Sequence, residues 1–365
     1  MSTVCDACLR RGYLIGLLAA PIAGLLERRL RRPAEIMALE DAELAMAIGG
    51  SSTGEALDFL AHFDPRRARA DLTRAAVTAI CMHREGYPEQ LRDLPDAPAA
   101  LFCRGRTELL AATAAEPAVT VVGTRDASPY GLDVAHDLGR GLASAGITTI
   151  SGMALGIDAA AHRGALGARG ATIAVLACGP DIAYPRRHRD LHAQICAQGL
   201  VVSELPPGQR AYRWSFPARN RIMAALARLT VVVEAGEASG TLITAGFAQD
   251  LGRAVGAVPG RVTTRVAHGA NKLLRDGAPV IRDTGDALDE LLGVGMWSRA
   301  QATDLSNLDP AQRRLLDAVE AGLDMDGICA FTDMEIAQVR AALTELETSG
   351  LIRRDGLAGW ERSSH

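Results

Sequence analysis

Val119-Thr120-Val121-Val122-Gly123-Thr124-Arg125 is the stretch whose reading decides the fold. Four β-branched residues run without interruption into a glycine, as in a strand covered on both faces. Ser128-Pro129 then supplies an N-cap and an N1 proline. Leu132, Ala135, Leu138, Gly139 and Leu142 share one helical face, and Gly146 closes the unit. Strand, turn, helix is half of a βαβ crossover. Further apolar runs at Ile147–Ile150, Thr172–Leu176, Leu200–Val202, Thr230–Glu234 and Val255–Val258 recur about every 25 to 30 residues, with helical patterns between them. That period predicts an α/β fold with a doubly wound, mostly parallel sheet over residues 71–295.

Such a sheet binds ligands where its strands end. Three of these ends carry small residues and hydroxyls. Gly123-Thr124-Arg125 lets a ligand approach backbone and offers a guanidinium fork; the same triplet also fits an ordinary turn with a surface arginine. Ser151-Gly152-Met153-Ala154-Leu155-Gly156 leads into a helix N-terminus, a ready anion site. Ser239-Gly240-Thr241 repeats the device after the next strand but two. The spacing matches neither G-x-G-x-x-G nor G-x-x-x-x-G-K-[ST], so neither a dinucleotide site nor ATP hydrolysis is supported. Asp158 is expected to cap the Ser151 turn. His162, one helical turn later, is expected to be packed rather than catalytic, because no nucleophile motif joins the pair. Phe216-Pro217-Ala218-Arg219-Asn220-Arg221 places two arginines and an amide around a helix start. They can meet phosphate and base edges, or form a solvated basic first turn.

Composition bounds the ligand. The 365 residues are 48% hydrophobic and 4% aromatic with net charge −4, so any nucleic-acid contact is a local patch, not a basic coat. Between Tyr184 and Arg228 eight arginines face Asp190 and Glu204, a net +6 segment in an acidic chain. Lys272 is the sole lysine, so phosphates must be met by guanidinium or backbone.

Residues 1–70 read as helical, with a break at Ile48-Gly49-Gly50 that fits a C-cap glycine better than a helix-hairpin turn. The apolar Gly12–Leu26 run is too short for a membrane span and is interrupted by Pro21; it reads as buried helices. Met296–Asn307 reads as a polar linker. Residues 308–365 read as a helix from Asp309-Pro310, a second at Ile336–Leu346 and a hairpin ending at Trp360, a winged-helix pattern. The 7 cysteines lack a regular framework and read as reduced, cytoplasmic thiols. Cys5-x-x-Cys8 is half a zinc site, and Cys81 with His83 completes a Cys3His set if the N-terminus folds back. Unpaired thiols are the alternative.

Taken together, these blocks resemble the DprA/Smf family, the DNA-processing proteins of bacterial natural transformation. The resemblance rests on Gly123-Thr124-Arg125, Tyr130-Gly131, Ser151-Gly152 through Asp158, Cys178-Gly179, Tyr184-Pro185, Ser203-Glu204, Phe216 through Ile222, Ser239-Gly240-Thr241, Val258-Pro259-Gly260 and Gly269-Ala270-Asn271. It implies a Rossmann-like core that binds single-stranded DNA, dimerises and helps load RecA, flanked by a SAM-like helical domain and a winged helix. No catalysis or required cofactor is implied. Phosphate contacts would fall to Gly123, Thr124, Arg125, Ser151, Gly152, Ala154 and Gly156. Arg187, Arg219, Asn220 and Arg221 would line the same pocket, with Ser239, Gly240 and Thr241 on its far wall. A competing reading is a nucleotide-processing enzyme resembling the LOG or lysine-decarboxylase-like phosphoribohydrolases. Those need a carboxylate soon after a Gly-Thr turn, where this chain has Leu242, Ile243, Thr244 and Ala245.

Overall fold

The computed structural model describes residues 4–27, 33–49, 51–237, 239–296, 308–348, 351–355 and 359–362. The linker read at Met296–Asn307 therefore falls almost wholly outside the described residues, as do Gly50, Ser349 and Gly350. The chain divides into two compact units, Met1–Ala287 and Leu288–His365.

The first unit is built on one eight-stranded sheet ordered β1-β2-β6-β5-β4-β3-β7-β8. The strands are β1 (Thr78–Cys81), β2 (Ala100–Gly105), β3 (Ala118–Val122), β4 (Thr148–Ser151), β5 (Thr172–Leu176), β6 (Leu200–Ser203), β7 (Leu229–Val232) and β8 (Ala254–Ala257). From β6 to β8 all neighbours are parallel. The six expected strands are present; Thr172–Leu176 matches at both ends and the others differ by one or two residues at an end. Every residue of β3 and of β5 is buried, which explains their unbroken apolar sequence. The strands β1 and β2, not anticipated from the sequence, pair antiparallel with each other, and β2 joins β6 antiparallel. Their connection carries a 3-10 turn at Glu89–Asp93 in place of a crossover helix, so the βαβ period is lost there.

The N-terminal helices pack against this sheet domain. Leu14, Ile15, Leu18, Ile22, Ile36 and Leu44 share a buried cluster with Leu205, Trp214 and Ala218. Burying each such side chain contributes about 1.5–3 kcal/mol. The Trp214 indole N–H donates to the Ala19 carbonyl at 2.8 Å. Gly12, on the helix Asp6–Leu17, lets that helix ride over the Phe102 ring, which an added Cβ would meet at 2.8 Å. Gly49 closes the helix Asp41–Ile48 at φ +73°, a C-cap glycine. Among the described residues no helix is long and apolar enough to cross a membrane.

Among the described residues from Leu308 onward, the second unit holds the helices Pro310–Glu320, Met325–Thr332 and Ile336–Thr348 and a two-stranded hairpin of Ile352–Asp355 with Gly359–Arg362. Asp309 and Gln312 form a reciprocal capping box at the first helix. The helix Met325–Thr332, capped by Asp324, was not anticipated from the sequence and lies between the two helices that were. This is a winged helix, with Leu315, Val319, Ile328, Val339, Leu343 and Ile352 as its core.

Candidate nucleic-acid interface

From β3 the chain steps through β4, β5 and β6 on one side, whereas from β7 it steps to β8 on the other. The connections that leave β3 and β7 therefore diverge, and a cleft of about 470 Å³ opens beyond the two strand ends. Gly123, Thr124, Arg125, Ala154, Asp158, Phe216, Arg219, Asn220, Ser239, Gly240 and Thr241 all line it. The Gly123 turn is pinned across the switch point by Glu234. The Thr124 N–H donates to the Glu234 carbonyl at 2.7 Å, and the Ser128 N–H and hydroxyl donate to its carboxylate at 2.9 and 2.6 Å. Gly156 has φ +76°, and a Cβ there would strike the Thr124 and Arg125 carbonyls, so glycine is required.

The Ser151 turn corrects the sequence reading. The Ser151 hydroxyl is buried and donates to the Val121 carbonyl at 2.7 Å, so it cannot meet a phosphate. The Gly152 and Ala154 N–H groups donate to Asp158 Oδ2 at 3.1 and 3.3 Å. The carboxylate fills the place assigned to an anion, and Asp158 is the structural residue expected. Burial raises its pKa, against the lowering effects of Arg219, the two N–H groups and Arg125. Across the cleft, the Ser239 hydroxyl accepts from the Thr241 N–H at 3.2 Å and opens the helix Gly240–Asp250 at the far wall.

The three residues Arg219, Asn220 and Arg221 do not act together. Arg219 is buried, and its Nη1 donates to the Gly152 carbonyl at 2.8 Å and to the Val175 carbonyl. A Cβ on Gly152 would overlap its guanidinium. Burial lowers the Arg219 pKa, and Asp158 opposes that shift. Asn220 accepts from Arg219 Nε at 3.1 Å and donates to the Gly240 carbonyl at 3.3 Å, so its amide ties the two walls and is not free to read a base. Arg221 lies outside the cleft altogether. It is 2% exposed, with Nε 2.8 Å from Asp96 Oδ2 and both Nη atoms on the Glu204 carboxylate at 3.0 and 2.9 Å. Burial would lower its pKa, but Glu204 and Asp96 outweigh that and raise it. Arg187 is exposed on the turn Arg186–His188 and lines neither the cleft nor the cavity beside it. Arg186 and Arg189 border a separate depression with Arg104. The net +6 segment is thus divided: Arg219 and Arg221 are buried, and Arg186, Arg187 and Arg189 do not line the cleft.

What the sequence missed is aromatic. The Arg125 guanidinium stands 5.1 Å over the Phe216 ring, and Phe216 lies 5.6 Å from the exposed Tyr184 ring. All three border a smaller cavity of about 100 Å³, next to the cleft and sharing Arg125, Phe216 and Arg219 with it. A cation on a ring beside a second ring offers a phosphate contact and a stacking surface within one reach. Tyr184-Pro185 and Phe216-Pro217 were legible as motifs, but low aromatic content gave no reason to assign them a stacking role.

His162 is fully buried. Its Nδ1 meets Thr172 Oγ1 at 2.7 Å, and Thr172 donates onward to the Thr149 carbonyl at 2.9 Å. Its Nε2 has no partner among the described residues, so protonation would strand a second N–H. Burial, then Arg219 and His188, lower its pKa to about 3. The unfolded chain, titrating near 6.5, binds a proton that the native state refuses. Stability is therefore full above about pH 6.5 and is lost toward pH 3, with a slope approaching about 1.4 kcal/mol per pH unit. Urea midpoints measured from pH 7 to 4 should fall more steeply for the wild type than for His162→Asn. Equal slopes would mean the native imidazole accepts the proton.

The fold and site define a class: a Rossmann-like ligand-binding domain with an arginine-and-aromatic cleft at its switch point, followed in sequence by a winged helix. Comparison with known proteins gives the family. The family model "DNA recombination-mediator protein A" matches residues 78–292, and the "DprA winged helix domain" matches 299–356. The chain belongs to the DNA recombination-mediator protein A family. A Mycobacterium tuberculosis protein named for DprA DNA processing is 40% identical over 277 residues, 74% of this chain and 71% of its own. The X-ray structure of DNA processing protein A from Streptococcus pneumoniae superposes with TM-score 0.63 at 30% identity, over 80% of this chain and 99% of that one. A Helicobacter pylori DNA processing protein A structure, described for its single-stranded DNA binding mode, gives TM-score 0.51 at 29% identity, over 64% and 97%.

Proposed function

We propose that this protein is a non-catalytic mediator that binds single-stranded DNA in the β3–β7 cleft, protects it and passes it to RecA, in DNA processing during transformation. The observation that carries the reading is Arg125 held over Phe216 beside Tyr184 at a switch-point cleft. Duplex bases are already stacked on each other and cannot use that surface; unpaired bases can. The Helicobacter pylori relative, described for its single-stranded DNA binding, supports the same ligand here. Backbone capture gives little sequence preference. The family description supports a recombinase as recipient, and a homodimer would present two clefts to one strand and gain avidity.

The phosphoribohydrolase alternative is not favoured. The helix after Gly240-Thr241 offers no carboxylate in its first turns, and Asp158 is spent on Gly152 and Ala154. The test is fluorescence anisotropy with labelled single-stranded and duplex oligonucleotides at several salt concentrations. Single strands should be preferred, with affinity falling steeply as salt rises. Equal binding of duplex, or no binding at low salt, would refute the reading, and a monomer by light scattering would refute the dimer.

A further inference from the structure

We infer that Cys5, Cys8, Cys81 and His83 form a structural zinc site that fastens the N-terminal helix to the edge of the sheet. The four donor atoms come from two segments over 70 residues apart, yet all lie within 4.8 Å of one another. Cys5 is the N-cap of the helix Asp6–Leu17 and Cys8 lies in its first turn. Cys81 ends β1, and His83 sits in the turn that follows. His83 Nδ1 is 3.2 Å from Cys8 Sγ and 3.6 Å from Cys5 Sγ. With Zn–S near 2.3 Å and Zn–N near 2.0–2.1 Å, a tetrahedral ion needs S···N separations of about 3.5 Å. The two His83 separations bracket that value.

Chemistry and surroundings agree with the geometry. Three thiols and an imidazole are a zinc donor set, and a closed four-ligand shell is the structural type. The Cys5 N–H donates to Cys81 Sγ at 3.4 Å, which stabilises a ligating thiolate. Cys8 and Cys81 are buried in the cluster of Leu9, Leu72, Val77 and Phe102, while His83 is exposed and gives a metal its way in. A metal here would close a loop from residue 5 to residue 81 and hold the helix against β1, the outermost strand.

The test uses the full chain purified without chelators from zinc-supplemented cells. Metal analysis should give about one zinc per chain, and X-ray absorption should fit three sulfurs near 2.3 Å and one nitrogen near 2.0–2.1 Å. His83→Ala, altering an exposed ligand, should fold and lose zinc to a chromophoric chelator at least about tenfold faster. Stripping the wild type should lower its melting temperature. Substoichiometric metal even after reconstitution would overturn the site. So would an intact mass showing a disulfide among these cysteines, or a His83→Ala variant that holds zinc as firmly as wild type.

Discussion

Replacing Arg221 by alanine is expected to lower the unfolding free energy by about 3–5 kcal/mol while leaving the DNA affinity of the folded protein close to wild type. The side chain is enclosed with two carboxylates, Asp96 and Glu204, and it also donates to the Ala218 and Asp96 carbonyls at 2.7 and 2.8 Å. Alanine would leave two buried acids with no cation, and the Asp96 carbonyl without its Arg221 donor. Arg221→Lys keeps the charge but loses the planar fork that reaches Glu204 with two N–H groups, and should fall between wild type and alanine. Urea unfolding at pH 7, with anisotropy well below the denaturation midpoint, separates the two quantities. Wild-type stability with lost binding would return Arg221 to the cleft.

That result bears on how a motif should be read. Phe216 through Arg221 looks like one basic recognition block in the sequence, but it lies on the helix Ser215–Leu226. Successive residues on a helix turn by about 100°, so 219, 220 and 221 must face different surroundings. Arg219 reaches the carbonyl of Gly152, Asn220 bridges to Gly240, and Arg221 turns toward Asp96 and Glu204. Nothing local in the sequence marks Asp96 as a partner, because it comes from the segment between β1 and β2. Ser151 is a similar case. It is the last residue of β4, and its hydroxyl turns into the sheet toward Val121 rather than out to a ligand. The strands of the parallel sheet were legible because burial on both faces demands apolar runs. The edge pair β1–β2 was not, because the segment between them carries no crossover helix to announce it. Cys5-x-x-Cys8 and the Cys81 and His83 pair were both legible as candidate ligands, and the condition attached to them, an N-terminus folded back on residue 81, is met in the structure.

Arg125→Ala is expected to weaken single-stranded DNA binding on the order of ten- to a hundredfold, alike for all sequences. Arg125 is exposed and borders both cavities, so its removal should cost the fold little. Losing one phosphate contact should also reduce the slope of log affinity against log salt by about 0.7. Phe216→Ala should cost a similar amount through lost stacking, about 1–3 kcal/mol, but with the salt slope nearly unchanged. The two losses should not add. The guanidinium rests on the Phe216 ring, so removing the ring also releases the arginine. The double variant should therefore fall short of the sum by about 0.5–1 kcal/mol. Strict additivity would mean that the arginine meets DNA independently of the ring. A loss confined to particular sequences would mean that Arg125 reads bases, and backbone capture would have to be abandoned.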